Sequence, residues 1–174
     1  MSDKKEIWTI RVGDGHNFIN SKKKIWGMKR GNHNGILSII NKIQPGDILA
    51  FHSNKKGGSK LLAFAKYIRY YDQMDEPIIN INCYSNDELG WIGDEDWTIQ
   101  IHYTDLYNTD KLNIIIKYQC AGIISNYNKI LENQYKKKSE NKSESWNCTD
   151  VNAIGNKCLK EHFELIVKYL SPSS

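Results

Sequence analysis

Three features of the sequence predict a single α+β domain. Short runs rich in β-branched and aromatic residues recur along the chain, a segment of helical periodicity lies among them, and glycine and proline interrupt the pattern too often for long elements. The 174 residues fit one domain of ordinary size, and neither an internal repeat nor a dividing linker is visible between residues 1 and 174.

The first predicted strand is Glu6 to Arg11, with Ile7, Thr9 and Arg11 on one side and Trp8 and Ile10 on the other. Gly13 and Gly15 break it, and a short helix through Phe18, Ile19 and Lys22 to Lys24 leads to Ile25-Trp26-Gly27. Ile36, Ile39, Ile40 and Ile43 fall on one helical face, and Pro45-Gly46-Asp47 ends that helix. Ile48 to His52 reads as a buried strand. The basic Gly-Ser loop through Gly57, Gly58 and Ser59 returns the chain into Lys60 to Tyr71, which completes a hairpin.

Pro77 to Ile81 is a further short strand, followed by a polar loop from Asn86 to Trp97 that carries Trp91 and Trp97. Trp97 to Tyr103 alternates with period two, as a strand does, and Leu112 to Tyr118 is read as another strand. Ile123 to Gln134 is expected to be helical. A charged loop at about 136–146 then precedes a C-terminal helix at about 156–170, where Leu159, Phe163, Ile166, Val167 and Leu170 share one face.

A hydrophobic content of 40%, with five tryptophans and ten tyrosines, excludes a wholly disordered chain. The net charge of +4 permits a polyanionic partner without demanding one. No signal-peptide pattern follows the charged start and no run is long enough to span a bilayer, so the expected location is intracellular, without membrane association. Cys83, Cys120, Cys148 and Cys158 are widely spaced and form no zinc or thioredoxin motif, which favours reduced, buried thiols.

P-loop, G-x-S-x-G and H-E-x-x-H motifs are all absent, the five histidines are dispersed, and Asp94-Glu95-Asp96 reads as solvated loop charge. The expectation is a binding protein and not an enzyme, with no catalytic residue, cofactor or metal. A base removed from its stack regains stacking on aromatic faces, at ~1–3 kcal/mol per base. Burying a methyl on its exocyclic amine adds roughly 0.8 kcal/mol. Trp26, Trp91 and Trp97 supply faces of that kind.

The order of features across Ile7 to Asn108 resembles the YTH domain and its relative the EVE domain, both of the PUA-like superfamily. Arg11-Val12-Gly13-Asp14-Gly15-His16-Asn17 looks like the family's Lys-Ser segment ending in an Asn or Asp that faces the base. Ile25-Trp26-Gly27 looks like its Val/Ile-Trp-Ser/Cys cage motif, and Ala63-Phe64-Ala65 occupies the place of its Gly-x-Ala. Trp91 resembles the second cage wall. Gly27 stands where YTH domains usually carry Ser, Cys or Thr, and the segment from Leu112 to Asp150 has no counterpart.

The resemblance implies a PUA-like small β-barrel flanked by helices, acting as a monomer that binds RNA carrying N6-methyladenosine in single-stranded form. Trp26 and Trp91 would sandwich the base, with Trp97 or Leu89 closing the methyl end. Asn17 would meet the base edge together with backbone groups near Gly27, and Arg11, Lys29, Arg30 and Lys60 would contact phosphates. The alternatives are an EVE-like reader of a modified base, such as a modified cytosine, in DNA; a PUA-like nucleic-acid-processing enzyme using His16 or the acids of the Trp91 loop; and a protein-interaction domain with buried tryptophans.

Overall fold

A computed structural model describes residues 5–30, 35–53, 59–73, 82–112, 115–116 and 123–126. The strands are β1 (Ile7–Arg11), β2 (Ile25–Met28), β3 (Ile48–His52), β4 (Ser59–Asp72), β5 (Ile99–Asn108), β6 (Ile115–Ile116) and β7 (Ile124–Asn126). Three short helices, α1 (His16–Ile19), α2 (Gly35–Ile40) and α3 (Asn86–Leu89), and a 3-10 turn at Asp110–Leu112 complete the described elements.

The strands form one curled mixed sheet, a half-barrel, in the order β2-β5-β4-β3-β1-β7, with β6 on the first residues of β4. β1 and β3 run parallel, Thr9 beside Ala50, and every other pairing is antiparallel. The curl has a local cause. The β3–β4 ladder shifts register at Phe51/His52 and the β4–β5 ladder at Phe64/Lys66 and Tyr67/Arg69, and bulges of this kind bend and twist a strand. At one of them Asp105 takes a left-handed backbone, φ 53°, a conformation that Asp adopts more readily than most residues with a Cβ.

β3 is buried along its whole length, as a short continuous apolar run in mid-sheet should be. Its entry is fixed by Asp47, a buried carboxylate that accepts hydrogen bonds from the Glu6 and Gln44 backbone N–H groups and from the Trp8 indole. The Pro-Gly-Asp turn therefore ties β1 to β3, whereas α2 ends at Ile40, before the turn that was expected to stop it. Trp8, Ile10, Phe18, Phe51 and Tyr103 belong to one core cluster, in which Phe18 packs 4.4 Å from Phe51, ring centre to ring centre.

Several expectations change. β1 buries Trp8, Thr9 and Ile10 together, because β3 and β7 flank it and both of its faces are covered there. α1 spans four residues, and Lys22 to Lys24 follow it outside any helix. Ile25–Met28 is a strand, and a helix forms at Asn86–Leu89 within the segment read as loop. Ile124–Asn126 is a strand on β1 where a helix was expected, since its backbone completes that edge of the sheet. Of the predicted strand from Leu112 to Tyr118, Leu112 ends the 3-10 turn and only Ile115–Ile116 is described as strand. The predicted strand Pro77 to Ile81, the charged loop and the C-terminal helix lie outside the described residues, as do Cys120, Cys148 and Cys158. No helix among the described residues is long and apolar enough to cross a membrane.

Candidate functional site

The chain between Arg11 and Lys29 and the loop from Asn86 to Trp97 together build a cavity. Beyond β1, the Val12 N–H donates to the His52 carbonyl. Gly13 and Gly15 then turn the backbone with φ of 63° and 90°, conformations that glycine adopts without the Cβ penalty. The Asp14 carboxylate accepts the His16 N–H at 2.9 Å and starts α1. Asn17 projects from that turn and clasps the facing loop twice, accepting the Ile92 N–H at 2.9 Å and donating to the Ile92 carbonyl at 3.1 Å.

The tryptophan loop is folded by its own residues. Ser85 and Glu88 form a reciprocal capping box on α3, Gly90 ends the helix with a left-handed backbone, and the Trp91 N–H returns to the Asn86 carbonyl. The Asn86 side chain donates to the carbonyls of Gly93 and Glu95, which curls the loop back toward β2.

Gly27 sets the packing of this region. A Cβ built on it would lie 2.5 Å from the Trp97 Cβ and 2.8 Å from the Trp91 ring, so only glycine lets both residues close on β2. The Trp-Gly pair is thus required by sterics, whatever the residue contributes to a ligand.

The cavity beside these residues has a volume of about 430 Å3, within the range of small-molecule sites. Trp26 and Trp97 line it with Val12, Met28 and Ile123, and the backbone of Gly13 and Gly27. Among the described residues its charged lining is two of each sign, Arg11 and Lys29 against Asp14 and Glu95, and Asn17 lines it as well. Lys29 bonds Glu95 at 2.9 Å across the exposed side and lies 5.6 Å from the centre of the Trp97 ring.

The structure does not set Trp26 and Trp91 apart as two parallel walls. The two ring centres are 5.3 Å apart with planes tilted by 54°, whereas a base between parallel rings needs roughly 7 Å, two contact distances of about 3.5 Å each. Trp91 is 5% exposed, does not line the cavity, and its indole N–H has no acceptor among the described residues. Trp26 packs edge-on against Phe18 and reaches the cavity as part of its floor. Leu89 is fully buried in the core and does not line the cavity. Trp97, half-buried and in the lining, is the accessible aromatic wall.

The phosphate candidates are also redistributed. Lys29 pairs with Glu95, Arg30 with the buried Asp72, and Lys60 with Asp110 at 3.0 Å, so three of the four are matched by acids, and Arg11 belongs to the cavity. Sequence reasoning missed Asp14 and Met28 as lining residues and Asn86 as the organiser of the loop. The S-x-x-E spacing of Ser85 and Glu88 was the available signal for α3.

The titratable groups nearby serve the fold. His52 is buried beside β1, and desolvation, against a hydrogen bond to the Ser53 carbonyl, lowers its pKa to about 4. His102 is lowered as well, mainly by burial, and its Nε2 donates to the Asn82 carbonyl at 2.9 Å. Burial, with Asp72 adding to it, raises the pKa of the Cys83 thiol. Among the described residues no three His, Cys, Asp or Glu side chains converge to hold a metal ion.

No family model matches the chain, and no curated protein matches it. Among solved structures it is similar to one titled "Structure of Hypothetical protein from Leishmania major", at 10% identity over 79% of this chain and 99% of that one, with a TM-score of 0.37. A superposition that loose carries no argument about function.

Proposed function

We propose that this chain is a nucleic-acid reader that takes an extruded N6-methyladenine from single-stranded RNA into the cavity between the Arg11–Asn17 turn and the tryptophan loop. The proposal extends to the fold, whose curled sheet would belong to a PUA-like small barrel. The supporting observation is the cavity itself, lined by Trp97 and Trp26, with two basic and two acidic side chains among its described lining residues. A neutral, flat ligand suits that lining better than a charged one, since two basic and two acidic side chains offer no net countercharge.

Trp97 supplies the stacking face. Asn17 spends one N–H and one lone pair on Ile92 and keeps the others for a base edge. β2 ends the sheet order among the described strands, so alternate backbone groups beside Gly27 have no strand partner on that side. The methyl group would be buried against Met28 and Trp26.

Gly27 favours a second reading, an EVE-like reader of a modified base in DNA. The side chain that YTH domains usually carry at this position has no space here, so any contact at residue 27 is limited to backbone.

Tryptophan fluorescence titration with four oligonucleotides, RNA with and without N6-methyladenine and DNA with and without methylcytosine, tests both. The expected result is a preference for the methylated RNA of about fourfold or more, the worth of one buried methyl. A preference for the modified DNA alone would select the second reading, and equal affinity for all four would refute both.

A further inference from the structure

A second concavity, about 660 Å3, lies on the other side of α1 and has a different electrostatic character. Phe18, Leu62, Tyr103 and Leu106 form its apolar floor, and Lys22, Lys23, Lys24 and Lys111 its cationic rim. Asp110 is the one acid in its lining among the described residues, and Lys60 already pairs with it. Lys22, Lys24 and Lys111 are exposed and form no ion pair among the described residues.

Two of these lysines are held in place. The stem of Lys22 lies so close to Gly90 that a Cβ there would approach it to 3.0 Å, and the Lys23 ammonium sits 4.5 Å from the centre of the Tyr84 ring. A single turn separates the two concavities. Asn17 lines the first, and its neighbours Phe18 and Ile19 line the second.

We infer that the lysine groove is the track for the sugar-phosphate backbone of a single-stranded RNA whose base enters the first cavity. The division of labour follows from charge: the balanced cavity suits a neutral base, and the unbalanced groove suits phosphates. The reading of the strand as the one carrying the modified base rests on the function proposed above. The attraction of the groove for a polyanion does not.

The test compares the wild type with Lys22→Gln/Lys24→Gln/Lys111→Gln and with the corresponding triple arginine variant. Each is titrated by fluorescence anisotropy against a short methylated RNA and its unmethylated twin across a tenfold range of salt. Each lost phosphate contact removes about 0.7 from the slope of log affinity against log salt, so the glutamine triple should flatten it by about 2. That corresponds to roughly 100-fold weaker binding at a tenth of the reference salt. The arginine triple should keep the slope, and the ratio of methylated to unmethylated affinity should hold in all three proteins.

An unchanged slope in the glutamine triple would overturn the groove as a backbone track, even with methyl discrimination intact. A flattened slope in a protein that never discriminated the methyl group would uphold the groove while removing the base-reading function. Loss of the slope in the arginine triple, or no RNA binding by the wild type, would also overturn the inference. Far-UV melting of each variant shows that the fold persists.

Discussion

Replacing Gly27 with alanine tests the steric claim on which the cavity rests. The new Cβ would stand 2.5 Å from the Trp97 Cβ and 2.8 and 3.1 Å from two atoms of the Trp91 ring, where ordinary carbon contacts need about 3.5 Å or more. The nearest of these is a Cβ, so relief cannot come from a rotamer change at Trp97, and the loop backbone must withdraw from β2. Overpacking of this kind costs typically 1–3 kcal/mol, against a gain of about 0.4–1 kcal/mol from the reduced freedom of the unfolded chain. The net expectation is a loss of about 1–2 kcal/mol, or roughly 2–8 °C in melting temperature for a domain of this size. Differential scanning calorimetry reads the shift, and titration with methylated RNA should show weaker binding as Trp97 leaves its position. Serine should cost at least as much. A melting temperature equal to or above wild type would show that the loop does not close on Gly27 and would undo the account of the pocket.

The two lining tryptophans should separate by phenotype. Trp26→Ala removes a ring that is 9% exposed and should cost about 3–5 kcal/mol in urea unfolding. Trp97→Ala should leave most of that stability in place while weakening base binding by about 1–3 kcal/mol. A Trp26→Ala protein as stable as wild type would refute its place in the core. Acid should also destabilise the fold through His52. Its pKa is about 4 when folded and near 6.5 when free, so the unfolded chain binds the proton first. Stability is therefore complete above pH about 6.5 and falls as pH drops toward about 4, by up to about 3 kcal/mol, with His102 acting in the same direction. Urea midpoints across that window measure the effect, and a His52→Asn variant that shows the same slope as wild type would remove His52 as its source.

The hairpin of β3 and β4 was legible because its signals were local: a compact apolar run, a Gly-Ser loop and a return strand. β2 was not, since Ile25–Met28 is short and becomes a strand through pairing with β5, about seventy residues away, which no local period announces. β7 inverted the expectation for the same reason, as its three residues take their conformation from β1. Within the site, sequence reasoning brought Trp26, Trp97, Asn17 and Gly27 to one region. It could not tell a wall from a floor, because that depends on which face of β2 the loop packs against.

The cavity combines a closely packed rear with a polar mouth. Its rear is fixed by the contact of Gly27 with Trp91 and Trp97 and by the burial of Trp26, none of which can move without loss of packing. Its mouth depends on exposed polar contacts: the Asn17 clasp on Ile92, the two Asn86 bonds and the Lys29–Glu95 pair. A surface pair of that kind is worth about 0–1 kcal/mol, so Lys29 and Glu95 can part at small cost to admit a ligand over Trp97. On the proposed function, recognition of the ring would belong to the rigid rear, and the rate of entry to the polar mouth. Charge substitutions at Lys29 or Glu95 accordingly act on association more than on the preference between bases.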